Sequence, residues 1–486
     1  MPSRVVDGIF VKEVAIMSQR KNGIHFYIAI TNLADIVETE QDQNRLGLVF
    51  ARIDHYFTDL GNHVNQMKQV YGTYALDIEK LSGSRVHFII TGEPRLAKEI
   101  LQNLMEYSFA TMKELNTLRA NDHLPSFVLN GGVDYGTYID SVFDYYNTKV
   151  NIKEKNSMGI PANRAAKIQD KARDGEILIS KEAYDYIGGL EKGILLDDGD
   201  DRIVTIKSRY PNIKCYSLKV ESWRSTISSQ QVIKNNQREF QHFRDSLSMV
   251  KPFQLRILDE QRAAGDLKEE ITGQPRRFSG FVLYSDIRHS TKTLEMAGDH
   301  IEEVSERFNH DLREMVNATQ SHDLTHVQIQ GDREAVCSLE RTEKALVQAI
   351  LCGFELSDAI RRDGVKKDFP TGVGLAIGGF YASRVGNGDY QDTLILGKTV
   401  NLADEAEDTH ASQDNEFAMT KEVYDETQRV HDVAFRSAVR ECFAKDGPDF
   451  YVTTKSRQDF ESSYRRRQTS DVGPQAEEEH VRPWGE

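Results

Sequence analysis

Two aspartates in the C-terminal half of the chain stand where aspartate can do chemistry. Asp286 closes the apolar stretch FVLYSD at 281–286. Asp332 follows Gly331 inside the stretch 326–338, which reads as a hairpin. A hairpin packed beside the first strand brings those two points together. Two carboxylates at adjacent loop tips, with the backbone carbonyl of Ile287 beside them, form a hard, all-oxygen donor set that suits a pair of Mg²⁺ or Mn²⁺ ions. Two such ions can activate a hydroxyl and hold a triphosphate for in-line attack. Aspartate is also common in turns for local reasons, so the weight rests on the pairing.

The elements that must hold these residues occur twice. In 277–456, a strand at 280–286 leads to a helix at 301–316, the hairpin, a helix at 343–360 and a strand at 372–378, and a further helix opens near Thr399. In 23–220, a strand at 26–32 leads to a helix whose Leu46, Val49, Phe50, Ile53 and Phe57 recur at helical spacing. A hairpin turning at 81–84, a helix at 95–118, a strand at 126–133 and a helix opening near Pro161 follow. Identity between the blocks is low, yet the order of elements is shared, which predicts a tandem duplication. Gly131, Gly132, Gly374, Gly378 and Gly379 lie in strands and are expected to permit tight packing at the block interface rather than to hold phosphate. Residues 1–22 form an N-terminal segment. Residues 221–276 read as a polar linker, Gln-rich, with some helical periodicity near 240–249. Residues 457–486 are charged and are predicted to be a disordered tail, with Arg465, Arg466 and Arg467 solvated.

The 486 residues allow roughly two to four domains. Lys plus Arg is 61 and Asp plus Glu is 76, so the net charge is 61 − 76 = −15. A chain this acidic is a poor general binder of a phosphate backbone, which excludes nucleic acid as an expected partner. Cys215, Cys337, Cys352 and Cys442 show no CxxC spacing, which argues against a zinc module and a disulfide scaffold. Lys12, Glu13, Arg20 and Lys21 interrupt any signal-type apolar run near the start. No stretch reaches the roughly 18 apolar residues that span a bilayer. The expectation is a cytoplasmic protein without a membrane partner.

Four stretches occur in order in the second block: FVLYSDI at 281–287, GD at 331–332, GLAIG at 374–378 and GKTVNLA at 397–403. Together they resemble the signature of the class III nucleotide cyclases, the catalytic domain family of adenylate and guanylate cyclases. The first block looks like a more degenerate copy, with Asn32 for the first aspartate, Gly83-Ser84 at the hairpin, Gly131-Gly132, and Asn163 with Lys167 four residues on. The resemblance implies an α+β fold: two tandem ferredoxin-like (βαββαβ) cyclase homology domains forming an intramolecular pseudo-dimer, so that a monomer suffices. In this family one partner supplies the metal carboxylates and the other the base-reading pair and an Asn/Arg pair. The losses in the two blocks are complementary. The second block keeps Asp286 and Asp332 but carries Glu405 where a cation belongs, after Asn401. The first block lacks the carboxylates but keeps Asn163 with Lys167. One composite site is therefore expected to be alive and the other dead.

The resemblance further implies two Mn²⁺ or Mg²⁺ ions on Asp286, Asp332 and the Ile287 carbonyl. It makes Asn163 and Lys167 the catalytic pair, for the ribose and the transition-state phosphate. Lys80 and Asn156 fall where the family reads the base, and Lys207 or Arg209 where it grips the terminal phosphates. Adenylate cyclases pair the lysine with an aspartate. Asn156 can instead donate and accept, to the N3–H and O4 of uracil, though it could also accept from an adenine amine. That departure is similar to the pyrimidine cyclases of bacterial antiphage defence (Pycsar type), whose cyclic UMP or cyclic CMP is read by a separate effector protein. The expected substrate is a nucleoside triphosphate, with UTP favoured. An adenylate cyclase and a catalytically dead nucleotide-binding regulator are the alternatives.

Overall fold

The computed structural model describes residues 19–82, 84–146, 151–189, 213–219, 241–253, 275–360, 364–386 and 392–470, with strand segments at 5–6, 9–10, 202–204 and 256–257. The fold is α+β, two tandem copies of one βαββαβ unit. Across the first sheet the strands run Leu76–Ser82, Arg85–Ile90, Gln19–Ile30, Leu129–Tyr146, Glu176–Ser180, Ile213–Lys219 and Arg202–Val204. Asn151–Met158 pairs with the outer part of Leu129–Tyr146. The second sheet repeats the order with Thr325–Gln330, Arg333–Ser338, Arg276–Ile287, Thr371–Val385, Phe417–Thr420, Phe450–Thr453 and Ala444–Asp446. There Asp392–Leu396 takes the place of Asn151–Met158. Among the described residues no helix is long and apolar enough to cross a membrane.

Local chemistry sets the helices that cover each sheet. Gln43–Tyr71 begins where the Asp42 carboxylate accepts from the backbone N–H groups of Asn44 (2.8 Å) and Arg45 (2.9 Å). It ends at Gly72, whose φ of 98° suits only glycine. Leu46, Val49, Phe50, Ile53 and Phe57 form its buried face, as their spacing predicts. Pro94–Asn121 joins the same core, and Ile301–Ser321 and Glu343–Ser357 serve the second sheet in the same way. Cys215, Cys337, Cys352 and Cys442 are buried and none is in a disulfide.

The two units dock by exchanging arms. The hairpin Leu129–Tyr146/Asn151–Met158 leaves the first unit and places Ile139, Phe143, Tyr145 and Met158 in the second unit's core. The hairpin Thr371–Val385/Asp392–Leu396 returns the exchange, with Val385, Leu394 and Leu396 in the first unit's core. Burying each such side chain contributes about 1.5–3 kcal/mol. These seven side chains, four from one arm and three from the other, hold the two units against each other.

Two expectations about the segments outside the units change. Residues 241–253 are more than a linker: Phe243 and Leu247, four apart on a helical turn, are buried in the first core. The tail is not disordered at its start. Arg457–Ser470 is a helix, and its Phe460 and Tyr464, again four apart, pack on the second core. Residues 471–486 lie outside the described residues.

The glycines do not serve the block interface. The nearest atoms around Gly131, Gly132, Gly374, Gly378 and Gly379 all belong to each glycine's own unit. A Cβ on Gly132 would lie 2.3 Å from both Ala165 O and Gln169 N, and one on Gly374 would lie 2.3 Å from Ala403 O and Glu407 N. Each glycine thus seats a helix of its own unit, Ile160–Lys171 or Lys398–Glu405, directly on the sheet. Gly132→Ala is expected to destabilise the protein by about 3 kcal/mol, read as a lower urea midpoint, because backbone rather than a flexible side chain must move.

Candidate functional site

Asp286 is the penultimate residue of its strand and pairs in register with Arg333. Asp332 sits in the turn just before it, after Gly331, whose φ of 68° calls for glycine. The Ile287 N–H donates to the Asp332 carbonyl (3.1 Å), stitching the strand end to the hairpin turn. Burial pushes the Asp286 carboxyl well above its ordinary range, and Asp332 and Glu407 push it further against Arg288 and Arg333. Burial also raises Asp332, opposed by a Ser290 hydrogen bond, Lys167 and Arg333. Asp286 remains a quarter exposed to the cleft. Neighbouring, desolvated carboxyl groups, with Asp332 raising Asp286, are a hard oxygen donor pair of the kind a divalent cation takes.

Sequence reasoning missed the groups that frame this pair. Arg288 lies 3.3 Å from Asp286 and 2.6 Å from Glu407, and it also donates to the Glu407 (2.8 Å) and Ala411 carbonyls. Arg333 pairs with Glu407 (3.1 Å) and Asp404 and lies over the Tyr284 ring. Glu407 is buried on the π-helical turn Ala406–His410. It draws both arginines partly away from the aspartates, leaving those oxygens less neutralised by protein. An arginine directly after each aspartate's neighbourhood (Arg288, Arg333) was the available signal; nothing local marks Glu407.

The first unit supplies the facing wall. Asn163 and Lys167 stand four apart on the Ile160–Lys171 helix, hence on one face. The Asn163 Nδ2 donates to Thr291 Oγ1 (2.8 Å) in the second unit. Lys167 lies close enough to act electrostatically on Asp332. The two walls enclose a cleft of about 810 Å³ lined by Lys80, Asn156, Asn163 and Lys167 from one unit and Asp286, Ile287 and Asp332 from the other. That volume falls within the usual range for a small-molecule site, about 300–1,000 Å³. Seven of the nine predicted site residues therefore share one cleft. Lys207 and Arg209 lie outside the described residues. Arg85, Lys171 and Lys292 also line it and were not anticipated.

In the same cleft, the Lys80 ammonium pairs with Glu154 (2.8 Å), and Asn156 Nδ2 donates to the Gly331 carbonyl (3.1 Å) across the unit boundary. Tyr27, Glu79, His87 and Ser157 also line it. His25, Glu79 and His87 bring ligand-type atoms within 4.8 Å of one another, which admits a metal by spacing. The facing atoms are already hydrogen-bonded, His87 Nδ1 to Glu79 and His25 Nδ1 to His87 Nε2, both at 2.9 Å. Burial holds His25 well below the ordinary imidazole range. Burial would raise Glu79, but His87 and Ser157 overcome it and hold the carboxyl at about 2. The trio is a hydrogen-bonded chain.

The pseudo-symmetric positions are stripped. Strand register places Ala29 opposite Arg85, as Asp286 lies opposite Arg333, so Ala29 and not Asn32 stands in for the first aspartate. Asn32 lies beyond the strand, where its amide donates to the Ser126 carbonyl (2.9 Å) and accepts from the Val128 N–H (2.9 Å). Ser84 matches Asp332 in position. Counting from the matched glycines, Gln328 matches Lys80, Leu394 matches Asn156, and Glu405 matches Lys167. Leu394 is buried in the first core.

The duplicated unit, the exchanged arms and the cleft between the units give the chain the fold of class III cyclase-like proteins, here as two tandem copies. The chain is similar along almost its whole length to a class III adenylyl cyclase-like ATP-binding protein from Pseudomonas aeruginosa, with a TM-score of 0.59 and 14% identity over 92% of this chain and 91% of that one. It also aligns with the guanylyl cyclase Cya2 (TM-score 0.33, 14% identity, 41% of this chain, 93% of that chain) and with the adenylyl cyclase CyaB from P. aeruginosa (0.30, 23%, 38% and 98%). No family model and no curated protein matches the sequence.

Proposed function

We propose that the protein is a metal-dependent nucleotide cyclase with one composite active site, converting a nucleoside triphosphate to a 3′,5′-cyclic nucleotide and pyrophosphate. The observation that carries this reading is the pairing, in one cleft, of Asp286 and Asp332 from one unit with Asn163 and Lys167 from the other. Asp286, Asp332 and the Ile287 carbonyl would hold two Mg²⁺ or Mn²⁺ ions, whose chemistry is to acidify the ribose 3′-hydroxyl and offset triphosphate charge. Asn163 orients the ribose so that O3′ faces the α-phosphorus. The 3′-hydroxyl gives its proton to water, the O3′–Pα bond forms as the bond from Pα to the bridging oxygen breaks, and pyrophosphate leaves. Lys167 stabilises the charge that develops on the α-phosphoryl oxygens. Lysine does this as a point charge where arginine would form a fork.

UTP is the favoured substrate. With one Asn156 N–H given to Gly331, its Oδ1 remains to accept from the uracil N3–H, while Lys80 donates to O4. Cyclic UMP would then be a second messenger for a separate effector protein in antiphage defence, a role that rests on the sequence resemblance. A second reading is a nucleotide-binding protein that does not turn over. It is favoured by the ATP-binding neighbour and by lysine at position 167.

Incubation with ATP, GTP, CTP and UTP in Mn²⁺, followed by product separation, tests these readings. Cyclic UMP is expected to dominate. Cyclic AMP as sole product would sink the pyrimidine assignment in favour of an adenylate cyclase. Nucleotide binding without pyrophosphate release from any of the four would leave the second reading standing.

A further inference from the structure

One residue outside the predicted set joins the base end of the cleft to the docking of the two units. Glu154 lies on Asn151–Met158, two residues before Asn156. Its carboxylate accepts from Lys80 Nζ (2.8 Å), from the backbone N–H of Ile329 (2.8 Å) and from His326 Nε2 (3.1 Å). The last two partners belong to the second unit. The other ring nitrogen of His326 faces Glu334 (2.9 Å). A carboxyl group at each ring nitrogen favours the doubly protonated ring, which can donate to both. Burial opposes that charge, but the hydrogen bonds to Glu154 and Glu334 overcome it and lift the ring to about 9. Burial likewise opposes ionisation of Glu154, but Lys80 and His326 overcome it and hold the carboxyl well below the ordinary range. The result is a largely buried hydrogen-bonded chain, Lys80, Glu154, His326, Glu334, that crosses the unit boundary.

We infer that Glu154 is the positioning residue for Lys80, fixing the ammonium at the base end of the cleft only when the two units are docked, and thereby setting base discrimination. The reason is geometric. Lys80 has a flexible stem and three donors. One donor is committed to a carboxylate whose own place is set by two groups of the other unit, so the remaining donors have a defined direction. Without Glu154 the ammonium is free to turn towards Glu79, which lines the same cleft. Base selection would then be a property of the assembled pair rather than of the first unit. This inference rests on the reading that Lys80 faces the nucleobase.

The test measures dissociation constants of the full chain for the four 3′-deoxynucleoside triphosphates in Mn²⁺, which cannot cyclise, so binding is read apart from turnover. Glu154→Gln, Lys80→Met and the double variant are compared with the wild type. Each single variant is expected to lower the preference for the best base by about tenfold, and the double variant is expected to lose no more than either single, because the two act through one contact. His326→Gln, measured in the same way, is expected to give a smaller loss of the same kind and serves if Glu154→Gln does not fold. An unchanged preference in Glu154→Gln, or a double loss equal to the product of the singles, overturns the inference while leaving the cyclase reading intact. A wild type that binds none of the four overturns both.

Discussion

Asp286→Asn is expected to lower cyclic-nucleotide formation by about 1,000-fold or more, which corresponds to roughly 4 kcal/mol of lost transition-state stabilisation. The substitution keeps the shape of the side chain and removes one anion from a pair whose members repel each other in a desolvated cleft. Two further outcomes separate this cause from simple misfolding. The metal-free variant is expected to melt at least as high as the metal-free wild type, because the repulsion between Asp286 and Asp332 is relieved. Added Mn²⁺ is expected to raise the melting temperature of the wild type, by mass action on the folded state, and to leave that of the variant nearly unchanged. For a ligand at about 100 times its dissociation constant the wild-type gain is about 2.7 kcal/mol. A variant that melts lower without metal and still responds to Mn²⁺ would show that Asp286 is structural. Asp332→Asn is expected to behave in the same way.

Much of this site was legible in the sequence because its parts are marked locally. A strand end, a Gly-Asp turn and a helix opening after a glycine each leave a short signature, and Asp286, Asp332 and Asn163 sit on those signatures. The composite character was legible because the losses in the two halves are complementary. What stayed hidden depends on contacts between distant segments. Glu407 lies 75 residues after Asp332 and reaches Arg288 and Arg333 only because a π-helical turn and Gly374 let its helix sit on the sheet. Ile139, Phe143 and Tyr145 are apolar strand residues, and nothing in their spacing says that the core they fill is the other unit's. The substitution of Ala29 for the first aspartate was misplaced to Asn32 because register is fixed by cross-strand pairing, and a few residues of slip cannot be seen in one strand alone. The tail helix escaped notice because a single apolar contact row, Phe460 and Tyr464, anchors an otherwise charged segment.

The asymmetry between the halves gives the sharpest functional contrast. Lys167→Glu is expected to reduce product by about 1,000-fold, the upper end for loss of a single electrostatic stabiliser of a transition state. The reason for the size is that the change both removes a cation and adds an anion where the proposed mechanism develops negative charge on the α-phosphoryl oxygens. It also places a third carboxylate near Asp332, whose charge Lys167 now helps to offset. The second unit already carries this change in effect: Glu405 occupies the matching place, eight residues after Gly397 as Lys167 is eight after Gly159. That position faces no carboxylate pair, since Ala29 and Ser84 stand there. Asn401→Ala and Glu405→Lys are therefore expected to change the rate by less than about twofold, as surface substitutions away from a site usually do. Lys167→Arg is expected to preserve the rate or raise it, because a fork replaces a point charge. Steady-state rates for these four variants in Mn²⁺, set against nucleotide dissociation constants, decide the matter. Equal damage from Asn401→Ala and Lys167→Glu would mean that both clefts work, and the single-site architecture would have to be abandoned.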